Sequence, residues 1–269
     1  MLPDAAPQEA HPPVIDVDDL WVGYTEETVL RGVSLQVRRG EFVGILGPNG
    51  SGKTTLLLTL SGVIPVRRGS ITIVGTPLGR LKPRERARAM AVVAQDSDIR
   101  FPFACREVVL MGRYPHQKAW QWDQAADEAV VGRVMAKTDT EGLAERLITG
   151  ISGGERQRVL MAKALAQETP VLLLDEATSA MDIQRKLQIF RVLRDLNERE
   201  GLTVVAVLHD VNLAALFCRR LVFLKDGRIE ADGPIEDVLT AQTLQSVYDT
   251  TAIVQPIPGT GKSQVSFLP

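Results

Sequence analysis

The chain has 269 residues, 24% of them charged, with 31 basic against 33 acidic side chains and a formal net charge of −2. That length can bury a full core in one large domain or two small ones, while the near balance of charge excludes a global basic field for nucleic acid or an anionic membrane surface. Two isolated cysteines, Cys105 and Cys218, are too few for a disulfide framework or a zinc site, so a reducing, cytoplasmic setting is the expectation.

Residues 1–13 are rich in Pro and Ala and lack both a basic start and an apolar core, which reads as a loose tail and not a signal peptide. Residues 33–37 alternate apolar with polar and predict a half-exposed antiparallel strand, as do residues 71–74. The buried run Phe42-Val43-Gly44-Ile45-Leu46 then leads into Gly47-Pro48-Asn49-Gly50-Ser51-Gly52-Lys53-Thr54-Thr55, with the helix-like Leu56-Leu57-Leu58-Thr59-Leu60 behind it. Gly47, Gly52, Lys53 and Thr54 fill every fixed position of a phosphate-binding loop. Glycines let the backbone curl so that N–H groups point inward at phosphate oxygens, Lys53 reaches the β and γ phosphates, and Thr54 offers its hydroxyl to Mg²⁺. The helix N-terminus behind the loop favours the same anion. These residues predict a nucleoside triphosphate site, and Tyr24, ahead of the loop, is placed to stack on an adenine face unless it packs in the core.

Further buried-strand candidates are 91–94, 171–174 and 203–208, none long enough to cross a bilayer, which takes about 18 apolar residues. Short apolar runs alternating with helical patterns predict an α/β fold with a parallel sheet covered by helices and a small antiparallel β flank. Gly47, Gln95, Asp175 and His209 each follow one of the four runs directly, and ligands of parallel sheets sit outside the carboxyl ends of the strands. Between Gln95 and Pro170 helical patterns take over, clearest over 124–136 and 155–167, and predict an inserted helical subdomain. The mixed-sign run 84–88 reads as a solvated helix face. Residues 211–218 look helical, and 221–224 with 228–231 look like a hairpin around Asp226-Gly227.

Four apolar residues closed by Asp175-Glu176 are costly unless a cation waits there. Strand alternation sends the two carboxylates apart, so Asp175 can hold Mg²⁺ through water while Glu176 faces the γ phosphate and polarises the attacking water. Ser152-Gly153-Gly154-Glu155 is a capping box, but a capping box does not need two glycines; their bare N–H groups make a second phosphate seat. One chain then carries two phosphate-contacting helix starts and a single Mg²⁺ and water apparatus, which points to a second seat closing on the nucleotide of a partner chain. His209 can bond a γ phosphate or its water as a sensor, and Gln95 suits a contact to Mg²⁺ or that water. Two other patterns are read as structural. Ile183, Leu187, Phe190 and Leu193 recur as the core stripe of an amphipathic helix. Gly259-Thr260-Gly261-Lys262-Ser263 ends like a second phosphate loop, but Pro256 replaces its first glycine and a disordered tail is expected there.

Taken together, the loop, Gln95, Ile151-Ser152-Gly153-Gly154-Glu155-Arg156-Gln157, Asp175-Glu176, Ser179-Ala180-Met181-Asp182 and His209 closely resemble the ATP-binding subunits of ABC transporters, from about Leu20 to about Gly233. Pattern and resemblance together predict a single P-loop ATPase domain over 14–269, with a nucleotide core at 14–96 and 169–232, a helical subdomain at 97–168 and, beyond the reach of the resemblance, a C-terminal appendage at 233–269. The resemblance implies ATP and Mg²⁺, and a head-to-tail dimer of two copies with ATP sandwiched between the loop of one and Ser152–Glu155 of the other. Glu176 would act as general base, His209 as switch and Asp182 across the dimer. A groove near Gln95 would take the coupling helix of a transmembrane permease on the cytoplasmic side of the membrane. Ile151, Gly150 and Met181 depart from the family's usual residues without touching phosphate contacts. Phe101-Pro102-Phe103 and the run from Val108 to His116 look like the subgroup that energises uptake of iron-siderophores, haem and cobalamin, delivered by a substrate-binding protein. Tyr114 and His116 are not expected to touch cargo. A soluble ABC-type ATPase and an exporter subunit stand as the alternatives.

Overall fold

The computed structural model describes residues 12–94, 99, 101–117, 124–178 and 181–268. Most of the expected tail, together with Gln95, Ser179 and Ala180, lies outside the described residues. In chain order, the long hairpin β1 (Ile15–Tyr24) and β2 (Glu27–Val37) precedes β3 (Phe42–Leu46) and α1 (Lys53–Leu60). Next come β4 (Arg68–Ile73), β5 (Thr76–Pro77), α2 (Pro83–Ala89) and β6 (Met90–Val93). A helical stretch follows: α3 (Cys105–Leu110), α4 (Gln124–Lys137) and α5 (Gly153–Ala166). The chain then returns to the sheet through β7 (Val171–Asp175), α6 (Ile183–Glu200), β8 (Thr203–Val207), α7 (Val211–Phe217) and the hairpin β9 (Arg220–Lys225) with β10 (Arg228–Pro234). The last elements are α8 (Ile235–Val238), α9 (Ala241–Tyr248), β11 (Ala252–Ile257) and β12 (Lys262–Phe267).

The central sheet runs β10-β9-β3-β8-β7-β6, with every pair parallel except the edge pair β9/β10. The expected hairpin around Asp226-Gly227 is present, and its first strand also joins β3 in parallel. A second sheet, β2-β1-β4-β5, is antiparallel and supplies the expected β flank. Strand alternation sorts the core into two layers. Val43, Ile45, Val171, Leu173, Val205 and Val207 pack with α1 and the β flank. Phe42, Leu46, Leu172, Leu174, Val204 and Ala206 pack with α6, α7, α9 and the last hairpin. The helical stretch has its own core, from Cys105 and Val108 through Val131 and Met135 to Val159 and Ala162. On the other side of α5, Met161 and Ala164 enter the sheet core, so that helix carries one subdomain on the other.

The structure revises three expectations. Ile183 is 78% exposed, whereas Phe190 and Leu193 are buried. Ile183 opens α6 immediately after its cap, before the helix reaches the aromatic stack of Phe190 on Phe42 and Phe217. Residues 259–263 are not a disordered tail: they form the turn and the start of β12, where Val265 is buried and Asn212 bonds the Val265 backbone twice. The run 84–88 is more than a solvated face. Arg84 and Arg88 both donate to the Pro115 carbonyl, at 2.9 and 2.8 Å, and pin that loop to α2. Among the described residues, no helix is long and apolar enough to cross a membrane.

Candidate active site

The phosphate loop leaves β3 at Gly47 and enters α1 at Lys53. Its tight curl depends on glycine where neighbours crowd it: a Cβ on Gly47, at φ 150°, would meet the Leu224 carbonyl oxygen at 2.1 Å. Gly52, at φ 101°, would drive a Cβ to 2.6 Å from Leu30. The loop is propped from behind, since Gly227 in the β9–β10 turn donates to the Ser51 carbonyl at 3.2 Å. Sequence reasoning read Asp226-Gly227 only as a hairpin turn. The signal for its second role is tertiary: a Cβ on Gly227 would stand 1.8 Å from the Val29 carbonyl oxygen of β2.

Lys53 is buried and folded over the loop, its ammonium donating to the Gly47 and Pro48 carbonyls at 2.8 Å each. Burial lowers its pKa, opposed by the nearby carboxylates of Glu176 and Asp175. Thr54 donates to Asp175 Oδ1 at 3.1 Å, so two of the three expected Mg²⁺ contacts meet across α1 and β7. Asp175 is 3% exposed, and burial raises its pKa while Thr54 pulls it down. A carboxylate this deep favours a cationic neighbour. Pro48, Asn49 and Gly50 line the loop's outer side, with Asn49 and Gly50 exposed, while Ser51 and Thr55 are buried.

Glu176 departs from the strand in the left-handed region, at φ 48°, with its N–H held by the Val207 carbonyl at 3.2 Å. Non-glycine residues rarely adopt this conformation, and here it turns the second carboxylate toward the end of β8. There Glu176 Oε1 pairs with His209 Nε2, bringing the expected base and sensor into direct contact. His209 is followed by Asp210, whose carboxylate caps α7 through the Asn212 and Leu213 amides at 2.9 and 3.0 Å. Tyr24 is 49% exposed, so the core-packing alternative does not hold. Its hydroxyl lies 3.5 Å from Thr55 Oγ1, beside the start of α1.

Ser152 caps α5 as expected. Its Oγ accepts from the Glu155 amide at 3.3 Å and donates to the Glu155 carboxylate at 2.8 Å, and that carboxylate also accepts from the Ser152 amide at 2.9 Å. A Cβ on Gly153 would meet nothing within 4 Å, so this chain's own packing does not require glycine there. Ser152, Gly153, Gly154 and Glu155 line a concavity of about 510 Å³ with Arg158, Met181, Asp182 and Arg185. None of these residues belongs to the phosphate loop. Asp182 caps α6 by accepting from the Arg185 amide at 2.9 Å. Arg158 and Arg185, which sequence reasoning passed over, both pair with Asp139 and tie α5 to α6 at the rim of the concavity.

The segment behind the expected permease groove divides in two. Phe101, Phe103 and Leu147 present 71%, 39% and 49% of their surface to solvent. Gly112 and Arg113 instead belong to the interior: a Cβ on Gly112 would meet the Lys163 carbonyl oxygen at 2.2 Å. Arg113 donates to Asp127, the Ala166 carbonyl and Glu168 at 2.7–2.8 Å. His116 Nε2 bonds the Gln167 carbonyl at 2.8 Å, and Tyr114 is exposed.

Residues 30–179, more than half of the chain, match the family model described as ABC transporter. The chain is 42% identical over 255 residues to the cobalamin import ATP-binding protein BtuD of Halobacterium salinarum, covering 95% of this chain but only 64% of that relative. It is 41% identical over 259 residues to the hemin import ATP-binding protein HmuV of Streptomyces coelicolor, covering 96% and 90%. It also superimposes with a TM-score of 0.75 on the ATP-binding cassette MJ0796, solved as a post-hydrolysis dimer with ADP and Pi, at 30% identity over 82% of this chain and 98% of that one. With the family model spanning residues 30–179 and 41–42% identity to these two relatives over almost the whole chain, the chain belongs to the ABC transporter family.

Proposed function

We propose that this chain is the ATP-hydrolysing subunit of an ABC importer for a metal chelate, an iron-siderophore, haem or cobalamin. It works as a head-to-tail dimer on the cytoplasmic face of a membrane permease fed by a substrate-binding protein. The observation that carries this reading is the division of the site into halves. Gly47–Thr55, Asp175, Glu176 and His209 share one edge of the sheet, whereas the glycine pair opens onto a separate concavity that its own chain does not fill.

ATP enters with its phosphates on the loop amides, Lys53 exchanging carbonyl partners for β and γ oxygens, and adenine against the exposed Tyr24 face. The donor set of Thr54 Oγ1 and Asp175, hard oxygens with one carboxylate, fits Mg²⁺, which keeps several waters and takes phosphate oxygens. When bound, that ion supplies charge neutralisation of the phosphates. Glu176 accepts the proton of the attacking water, and His209, already paired with Glu176, orients the carboxylate and senses the γ phosphate. Ser152, Gly153 and Gly154 of the second copy close over the same γ phosphate with a helix N-terminus. The exposed Phe101, Phe103 and Leu147 surface receives the permease.

Glu176→Gln tests the base. ATP binding is expected to persist while turnover falls by at least about 10²-fold, with an ATP-bound dimer accumulating in size-exclusion chromatography. Undiminished hydrolysis would remove Glu176 from that role. Co-purification with a many-spanning permease separates import coupling from a soluble ATPase.

A further inference from the structure

The concavity beside Ser152 is walled by the starts of two helices, α5 and α6, and one carboxylate from a third element touches both. Asp139 stands in the turn after α4, in the left-handed region at φ 53°. Asp tolerates that conformation better than most non-glycine residues. The fully buried threonines on either side fix the turn. Thr138 Oγ1 donates to the Val134 carbonyl at 2.9 Å and lies 3.0 Å from Thr140 Oγ1, while the Thr140 amide donates to the Met135 carbonyl at 2.9 Å. So held, Asp139 meets α5 twice: Arg158 Nη1 donates to its carboxylate at 3.0 Å and to its backbone carbonyl at 2.5 Å. The same carboxylate oxygen, Oδ2, accepts from Arg185 Nη1 in the first turn of α6. Arg185 Nη1 also donates to Gln188 at 3.1 Å, and its amide donates to the Asp182 cap.

The two guanidiniums are held differently. The Arg158 side chain is 8% exposed, and a buried cation requires a paired carboxylate, whereas Asp139 and Arg185 are 51% and 38% exposed. A half-exposed ion pair adds little stability by itself. Here, however, the shared oxygen sets the spacing of Ser152-Gly153-Gly154 from Met181-Asp182, the two sides of the concavity. A surface already held in its binding geometry loses less conformational freedom on association. We propose that Asp139 is a positioning residue for the second phosphate seat, locking the start of α5 to the start of α6 so that the nucleotide of a second copy meets a preformed surface. The inference rests on the dimer reading above.

Asp139→Asn on the full chain, in a Glu176→Gln parent that holds ATP without turnover, is the test. Asn tolerates the left-handed turn and keeps the backbone carbonyl for Arg158, so only the charge is removed. The dissociation constant of the Mg²⁺–ATP dimer, from light scattering on dilution, should rise about 5- to 10-fold. The Kd of the monomer for ATP, titrated well below the dimer dissociation constant, should stay at the parent value. Arg185→Gln breaks the same link without touching the turn or the Arg158 pair; it should weaken the dimer too, and the double variant should lose no more than Asp139→Asn alone. Glu200→Gln, which removes the Lys137 tie between α4 and the far end of α6, should leave the dimer unchanged. Parent dimer affinity in Asp139→Asn and Arg185→Gln overturns the proposal. So does an equal weakening by Glu200→Gln, or a parallel loss of ATP binding by the monomer, the marks of a general loss of structure. If the parent forms no ATP-dependent dimer, the dimer reading falls and this proposal with it.

Discussion

At the residue scale, the chemistry is set by what surrounds each group more than by the group itself. Asp175 and Glu176 are adjacent carboxylates, yet one is sealed against Thr54 while the other is turned by a left-handed backbone onto His209. Cys218 shows the same control in a group with no assigned chemistry. It is fully buried, and its thiol is pushed up to about 12 by desolvation. A raised thiol pKa means that the fold favours the neutral form; this contribution is complete below the ordinary 9.0 and is lost as pH rises through about 12. Maleimide labelling at pH 8 should therefore leave Cys218 unmodified in the folded protein and modify it fully in denaturant. Rapid labelling of the native chain would contradict the burial.

At the element scale, α5 joins two cores, and the buried guanidinium of Arg113 fastens the helical stretch to its C-terminal end. The Arg113–Asp127 pair has side chains only 10% and 8% exposed, and the same guanidinium bonds the Ala166 carbonyl and Glu168. Arg113→Ala should destabilise the protein by about 3–5 kcal/mol, the usual cost of breaking a buried pair. Arg68→Ala, which removes an ion pair 71% and 43% exposed, should cost under about 1 kcal/mol. Urea denaturation of both variants checks the contrast. Arg113 and Gly112 also belong to the run that resembles metal-chelate importers, so part of that resemblance reflects packing on α5 and not contact with a permease.

At the scale of the whole molecule, the proposed dimer is tested at the concavity beside Ser152. Ser152→Arg places a long cation over the concavity while leaving the phosphate loop untouched. It should abolish ATP-dependent dimerisation in light scattering and leave nucleotide binding by the monomer intact; loss of monomer affinity would contradict assigning this seat to a partner copy. The four buried runs and the loop between β3 and α1 were legible in the sequence because period and glycine spacing are local. The capping box at Ser152 was legible for the same reason, since its three hydrogen bonds join residues three apart or closer. Ile183 misled because periodicity counts turns but does not say which turn overhangs the sheet edge. The last hairpin was missed because its order comes from Asn212, about fifty residues earlier, and not from its own composition.

The sequence by itself determined the α/β class, the glycine-rich loop between β3 and α1, the acidic pair and the glycine-bearing cap, all encoded within a few neighbouring residues. Only the tertiary structure decided that Glu176 touches His209 and that Gly227 and Leu224 brace the loop. These contacts join segments up to about two hundred residues apart. Their geometry follows from strand order and helix packing, which no local pattern records.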